Sequence, residues 1–192
     1  MTSQDKVDRE IAGYIGEIDV RNELRHLKEI GLIKGFIRSK NIIYFGNNFQ
    51  IDFLILVPKI GLLIIEVKNW KGEIRTNFEK QWIQVNGNHK NIQRNAALQV
   101  LRTAGLLLQV LEREKCNKWP IRPLVVFADN EAKVMQLQGE KAPQTDVIRL
   151  RKLKDWISTN SSQEIAYQFT RNDFENIKMA ICKYTEEYQE FS

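Results

Sequence analysis

At 192 residues, 43% hydrophobic and 28% charged, with 10 glycines and 4 prolines, the chain has the make-up of one ordinary soluble globular domain, which excludes disordered and fibrous classes. Two cysteines (Cys116, Cys182) and two histidines (His26, His89) form no zinc spacing and support neither a Ser-His nor a Cys-His triad, so any metal must be held by oxygen. The net charge of +5 is concentrated between Lys68 and Arg102, where Lys68, Lys71, Arg75, Lys80, Lys90, Arg94 and Arg102 outnumber Glu73 and Glu79, leaving the rest of the chain neutral.

In chain order, the first predicted element is a helix from about Gln4 to Ile30. Val7, Ile11, Tyr14 or Ile15, and Ile18 lie on one side of it, with Leu24 and Leu27 continuing the stripe. Gly31 and Gly35 bracket a turn, and β-rich segments follow at Ile42 to Phe45, Gln50 to Val57 and Leu62 to Val67. The last two hold nearly continuous apolar runs, the pattern of strands covered on both faces, and Pro58 to Gly61 joins them as an antiparallel hairpin. Shorter strands near Glu73 to Arg75 and Gln81 to Val85 are expected to extend this meander. A long helix from about Ile92 to Glu114 then lays Ala97, Leu98, Leu101, Ala104, Leu108 and Leu111 across the sheet. Leu124 to Ala128 reads as a buried strand that rejoins the sheet after this helical crossover. Two more helices follow Leu150. The last carries a stripe of Phe174, Ile177, Ile181, Tyr184, Tyr188 and Phe191, which packs on its own domain or forms a homodimer contact. The two distant cysteines, with no signal peptide and no apolar run of about 18 residues, predict a reducing cytoplasm and no membrane partner.

The anomaly is charge inside the most apolar strands, where Asp52 interrupts one run and Glu66 and Lys68 the other. An unpaired buried carboxylate costs several kcal/mol, so a cation, a hydrogen-bond network or a bound metal must compensate. Glu66 and Lys68 share a face. Asp52 joins them only if it opposes Glu66 across the hairpin, a parity that needs an odd loop or a bulge, for which Gly61 is suited. Two carboxylates with a lysine beside them can hold Mg²⁺ or Mn²⁺ and act on a phosphodiester; the alternative is a buried ion-pair network without catalysis.

Gly16-Glu17 on the first helix, Gln50-Ile51-Asp52, Ile65-Glu66-Val67-Lys68-Asn69 followed by Trp70 and Gly72, the later Trp82, and Asn95 with Gln99 opening the long helix occur in order along the chain. Together they resemble the nuclease-related domain (NERD) family of the PD-(D/E)XK nuclease superfamily, over roughly Ile11 to Asp129. One departure is Ala96, where the family has proline after the asparagine. The resemblance implies an α/β fold with a restriction-endonuclease-like αβββαβ core, a mixed central sheet flanked by helices, and metal-dependent cleavage of DNA. It carries Asp52 and Glu66 over as metal ligands, Lys68 as the catalytic lysine, and Glu17 and Gln99 as accessory positions on helices. The expectation is therefore a nuclease core over 1–142 and a helical extension over 143–192. In it Asp52, Glu66 and the Val67 carbonyl hold Mg²⁺ or Mn²⁺, while Lys68 and Gln99 position the attacking water. Lys71, Arg75, Lys90 and Arg94 are the candidate phosphate contacts for DNA or RNA, and Trp70 and Trp82 read as packing residues before stacking platforms. The rival expectation is a module that binds nucleic acid or a partner without cutting.

Overall fold

In a computed structural model, which describes residues 3–161, 164 and 166–186, the chain runs α1 (Ser3–Glu29), β1 (Gly35–Tyr44), β2 (Asn47–Val57), β3 (Gly61–Lys68), β4 (Glu73–Arg75), β5 (Gln81–Asn86) and β6 (His89–Arg94). It continues through α2 (Ala96–Arg113), β7 (Ile121–Phe127), β8 (Lys133–Met135), β9 (Val147–Arg149), α3 (Leu153–Asn160) and α4 (Arg171–Cys182). The central sheet has the order β1-β2-β3-β7-β9. Strands β1, β2 and β3 are antiparallel, and β7 and β9 are added parallel, so the sheet is mixed and the αβββαβ order is present. Helices cover both faces, as continuous apolar runs require. Leu54, Leu56, Leu62, Ile64, Val125 and Phe127 pack with Val100, Leu107 and Leu111 of α2. Phe53, Ile55, Leu63, Ile65, Leu124 and Val126 pack with Val20, Leu24 and Leu27 of α1.

The β2–β3 hairpin has the parity the site needs. Phe53 opposes Ile65, and the pairing closes with Val57 opposite Gly61 around Pro58, Lys59 and Ile60. Gly61 sits at φ +101°, and a Cβ there would meet the Pro120 carbonyl oxygen at 2.7 Å. Both facts demand glycine. Gly61→Ala is expected to cost about 2–4 kcal/mol, a left-handed penalty plus overpacking, seen as a lower urea midpoint with an unchanged slope.

Several expectations are corrected. Strands β4 and β5 do not extend the central meander but form a second sheet of order β6-β5-β4-β8, whose inner face buries Ile74 and Trp82 in the core beneath α2. Residues 89–94 pair with β5 as a strand, so the long helix begins at Ala96 rather than near Ile92. Asn95 sets that start, accepting from the Ala97 and Leu98 amides at 2.8 and 3.2 Å. Ala96 at the first helical position replaces the family's proline without cost, because that amide needs no helical partner. On α1, Val7, Ile11, Tyr14 and Ile15 remain 44–62% exposed; only the stretch from Gly16 onward docks on the sheet. The segment after residue 142 opens with a sheet strand, β9, before its helices. Ile177 and Ile181 of the final stripe bury against the core, with Phe174 and Tyr184 packed alongside, so the stripe covers its own domain there; Tyr188 and Phe191 lie outside the described residues.

Candidate active site

Asp52 owes its position to a bulge. Ile37 of β1 opposes Leu54 while Ser39 opposes Ile51, so Asp52 and Phe53 together face the single residue Arg38. The bulge reverses the face on which β2 side chains fall: Phe49 and Ile51 belong to the α2 side, Phe53 and Ile55 to the α1 side. It also ends the ladder with β3 at Phe53 opposite Ile65. Beyond that point the Val67 amide donates instead to Asp52 Oδ2 at 2.8 Å. The Lys68 carbonyl accepts from Ala128 on the β7 side, so by alternation the Val67 carbonyl faces the β2 side with its own amide. Asp52 and the Val67 carbonyl are thus directed into the space where two interior strands part.

Glu66 and Lys68 continue the α2-facing row begun by Leu62 and Ile64, and Lys68 Nζ donates to Glu66 Oε1 at 2.7 Å. Asp52 is 8% exposed, and Gln50 Nε2 donates to its Oδ1 at 3.0 Å. Burial, then the neighbouring Glu66 charge, pushes the Asp52 carboxyl up from the usual 3.8 to about 6, with Glu17 adding to the rise. The Val67 amide and the Lys68 ammonium pull the other way without cancelling it. An acid held above its ordinary range by burial first and by two like charges after it would gain from a cation, and the donors here are all hard oxygens, the type Mg²⁺ and Mn²⁺ take. The donor set fits a divalent cation carried by two carboxylates and a carbonyl. Among the described residues no third acidic, histidine or cysteine side chain completes a cage.

Glu17 reaches the site because α1 comes unusually close to the segment that follows β3. A Cβ on Gly16 would lie 2.8 Å from Asn69 Cβ, and Asn69 Nδ2 donates to the Ala12 carbonyl at 2.7 Å. The Glu17 carboxylate is paired with Arg38, whose guanidinium stacks 5.2 Å from the Phe53 ring centre. Sequence reasoning missed Arg38; its one signal is a cation inside an otherwise β-forming segment. Gln99 is tied to the Asp52–Lys68 group by no hydrogen bond, but its Oε1 is buried without a partner among the described residues.

The basic residues separate. Arg75 opposes Ile83, while Lys90 opposes Val85 and Arg94 opposes Gln81; these share the outer face of the second sheet. Trp82, Gln84, Asn91 and Gln93 share the inner one. Of the four expected phosphate contacts only Lys71 lines the cleft of about 440 Å³ that opens beside Val67 and Lys68. Trp82 is fully buried and donates to the Asn77 carbonyl at 2.9 Å, so it is a packing residue. Trp70 packs edge-on against Phe127, with Lys68 Nζ 5.7 Å from its ring centre.

A mixed sheet between helices, with an acid, acid and lysine group where its interior hairpin parts, is the layout of a nuclease-type domain. The nuclease-related domain pattern matches residues 12–128, and the chain belongs to that family. The chain is similar in structure to the small subunit of the heterodimeric restriction endonuclease R.BspD6I, at 12% identity over 91% of this chain and 87% of that one, with a TM-score of 0.32. No curated protein matches it. No described helix is long and apolar enough to cross a membrane.

Proposed function

We propose that the chain is a divalent-metal-dependent nuclease that hydrolyses DNA phosphodiester bonds. The observation that carries this reading is the convergence of buried Asp52, half-buried Glu66 and Lys68, and the β2-facing Val67 carbonyl at the point where the hairpin ladder stops. Asp52, Glu66 and the Val67 carbonyl would hold Mg²⁺ or Mn²⁺, which supplies Lewis acidity at the phosphate. The Lys68 ammonium has three donors, of which Glu66 takes one, leaving two for the attacking water and a phosphate oxygen. The orphaned Gln99 Oε1 is an acceptor suited to orienting that water. Arg38 holds Glu17 as an accessory carboxylate, and Lys71 offers a phosphate contact from the cleft wall.

The test is cleavage of end-labelled single-stranded, duplex and branched DNA, and of RNA, with Mg²⁺, Mn²⁺ or EDTA, for wild type beside Glu66→Ala and Lys68→Ala. Metal-dependent cutting of DNA, reduced at least about 100-fold in both folded variants, is expected. A second reading, nucleic-acid binding without cutting, has one observation behind it: Glu66 and Glu17 already have cationic partners within the protein. Wild type that binds DNA and cuts nothing under any metal decides for that reading.

A further inference from the structure

The inner face of the β5–β6 hairpin has a use that packing does not explain. At its core end this face buries Trp82, with Gln93 directly opposite; Gln93, and Gln84 and Asn91 further along, line the cleft next to Lys68. The Gln84 and Gln93 amides are pre-set. Gln84 Nε2 donates to the Lys71 carbonyl at 3.0 Å, which fixes that amide's orientation, and Gln84 Oε1 accepts from Gln93 Nε2 at 2.8 Å. Gln93 therefore keeps its own oxygen and a second N–H for a ligand. The amide of Asn91, directly opposite Gln84, has no hydrogen bond among the described residues. A wall of oriented, uncharged donor–acceptor pairs suits the edge of a nucleobase, because Asn and Gln match its adjacent donor and acceptor. No acidic side chain lines the cleft, Lys71 stands at its wall for a phosphate, and about 440 Å³ admits one small ligand and not a duplex.

Resting on the nuclease reading above, we infer that this cleft is a nucleoside subsite which takes an unpaired base of the DNA strand beside the phosphate to be cut. Gln84, Asn91 and Gln93 contact the base edge. A paired base has already spent its Watson–Crick edge on its complement, so the subsite selects single strands, flaps or extruded nucleotides.

The test is binding of a fluorescein-labelled 12-nucleotide single strand and of the matching duplex to the full chain in EDTA, read by anisotropy. Two variants are compared with wild type. The double variant Asn91→Ala/Gln93→Ala removes the contacts. Gly13→Leu obstructs the cleft, since a Cβ at Gly13 meets nothing within 4 Å and the residue lines the opening; it also replaces a helix-weakening glycine, so it is expected to fold. Wild type is expected to favour the single strand, and each variant to bind it about 10-fold more weakly, the worth of two hydrogen bonds, with duplex binding unchanged. Equal binding of the two forms by wild type, or variants that bind single strands as wild type does, overturns the subsite; metal-dependent cleavage persisting in wild type would then leave the nuclease reading standing. Variants that lose single-strand binding, from a wild type that cuts nothing, keep the cleft as a site for an unpaired base and overturn the nuclease reading, and with it the place of that base beside a cut phosphate.

Discussion

Asp52→Asn is expected to abolish cleavage and at the same time to stabilise the metal-free protein. The sign follows from the carboxyl's position. Its pKa is raised from 3.8 to about 6 by burial and by Glu66. The folded state therefore binds the proton more tightly than the unfolded state, and the ionised form is the costly one. That cost is absent below about pH 4, grows as pH rises through 6, and is complete at pH 8, where two pKa units correspond to about 3 kcal/mol. Asparagine keeps the shape and removes the charge. Its Oδ1 can still accept from the Val67 amide, and a turned Gln50 amide can accept from its nitrogen. A gain of about 2–3 kcal/mol at pH 8 is expected, read as a melting point some 5–10 °C higher for a domain of this size. Activity should fall by at least about 100-fold, because the one carboxylate held by both strands of the site is gone. A variant that melts lower than wild type at pH 5 and pH 8 alike would mean that the Asp52 charge is already compensated within the protein.

The grouping of Asp52, Glu66 and Lys68 was legible because charge inside an apolar run is expensive enough to demand a reason, and these residues stand out on that ground alone. The hairpin's parity was legible from Gly61, whose positive φ closes the loop with Val57 opposite. The bulge that gives Arg38 two partners on β2 was not: it inserts no glycine, and Ile51, Asp52 and Phe53 all stay buried, so no exposed residue marks it. It shows only in three dimensions, as a reversal of the face on which β2 side chains lie.

The second sheet was illegible for a different reason. Residues 89–94, His-Lys-Asn-Ile-Gln-Arg, alternate between an exposed outer face and an inner face whose polar residues line a cleft, so neither face has the apolar period that marks a strand. The same residues, read as the lead-in to a helix, place Lys90 and Arg94 in one basic stretch with Lys71. Pairing with β5 sends them to the opposite side of the sheet from the cleft. Likewise the exposed Val7, Ile11, Tyr14 and Ile15 fit a helical stripe as well as buried residues do; only the close approach at Gly16 determines where α1 begins to dock.

Divalent metal is expected to stabilise the protein more strongly at pH 8 than at pH 5. A cation held by Asp52, Glu66 and the Val67 carbonyl must displace the Asp52 proton, and with that carboxyl titrating near 6 the folded chain is mostly protonated there at pH 5 and ionised at pH 8. Without metal, the same titration works the other way: raising the pH from 5 to 8 costs the protein about 1–2 kcal/mol through Asp52, the part of its penalty not already incurred at pH 5. Binding at 100 times the dissociation constant returns about 2.7 kcal/mol, so Mn²⁺ should more than reverse the loss at pH 8, and EDTA should restore it. The measurement is thermal unfolding at both pH values with Mn²⁺, Mg²⁺, Ca²⁺ or EDTA, for wild type and Asp52→Asn. Asp52→Asn should show neither the metal response nor the pH-dependent loss, because both arise from one carboxylate. An equal metal response in wild type and variant would place the cation elsewhere on the chain, and no response at pH 8 would leave Lys68 and Arg38 as the cations that balance this site.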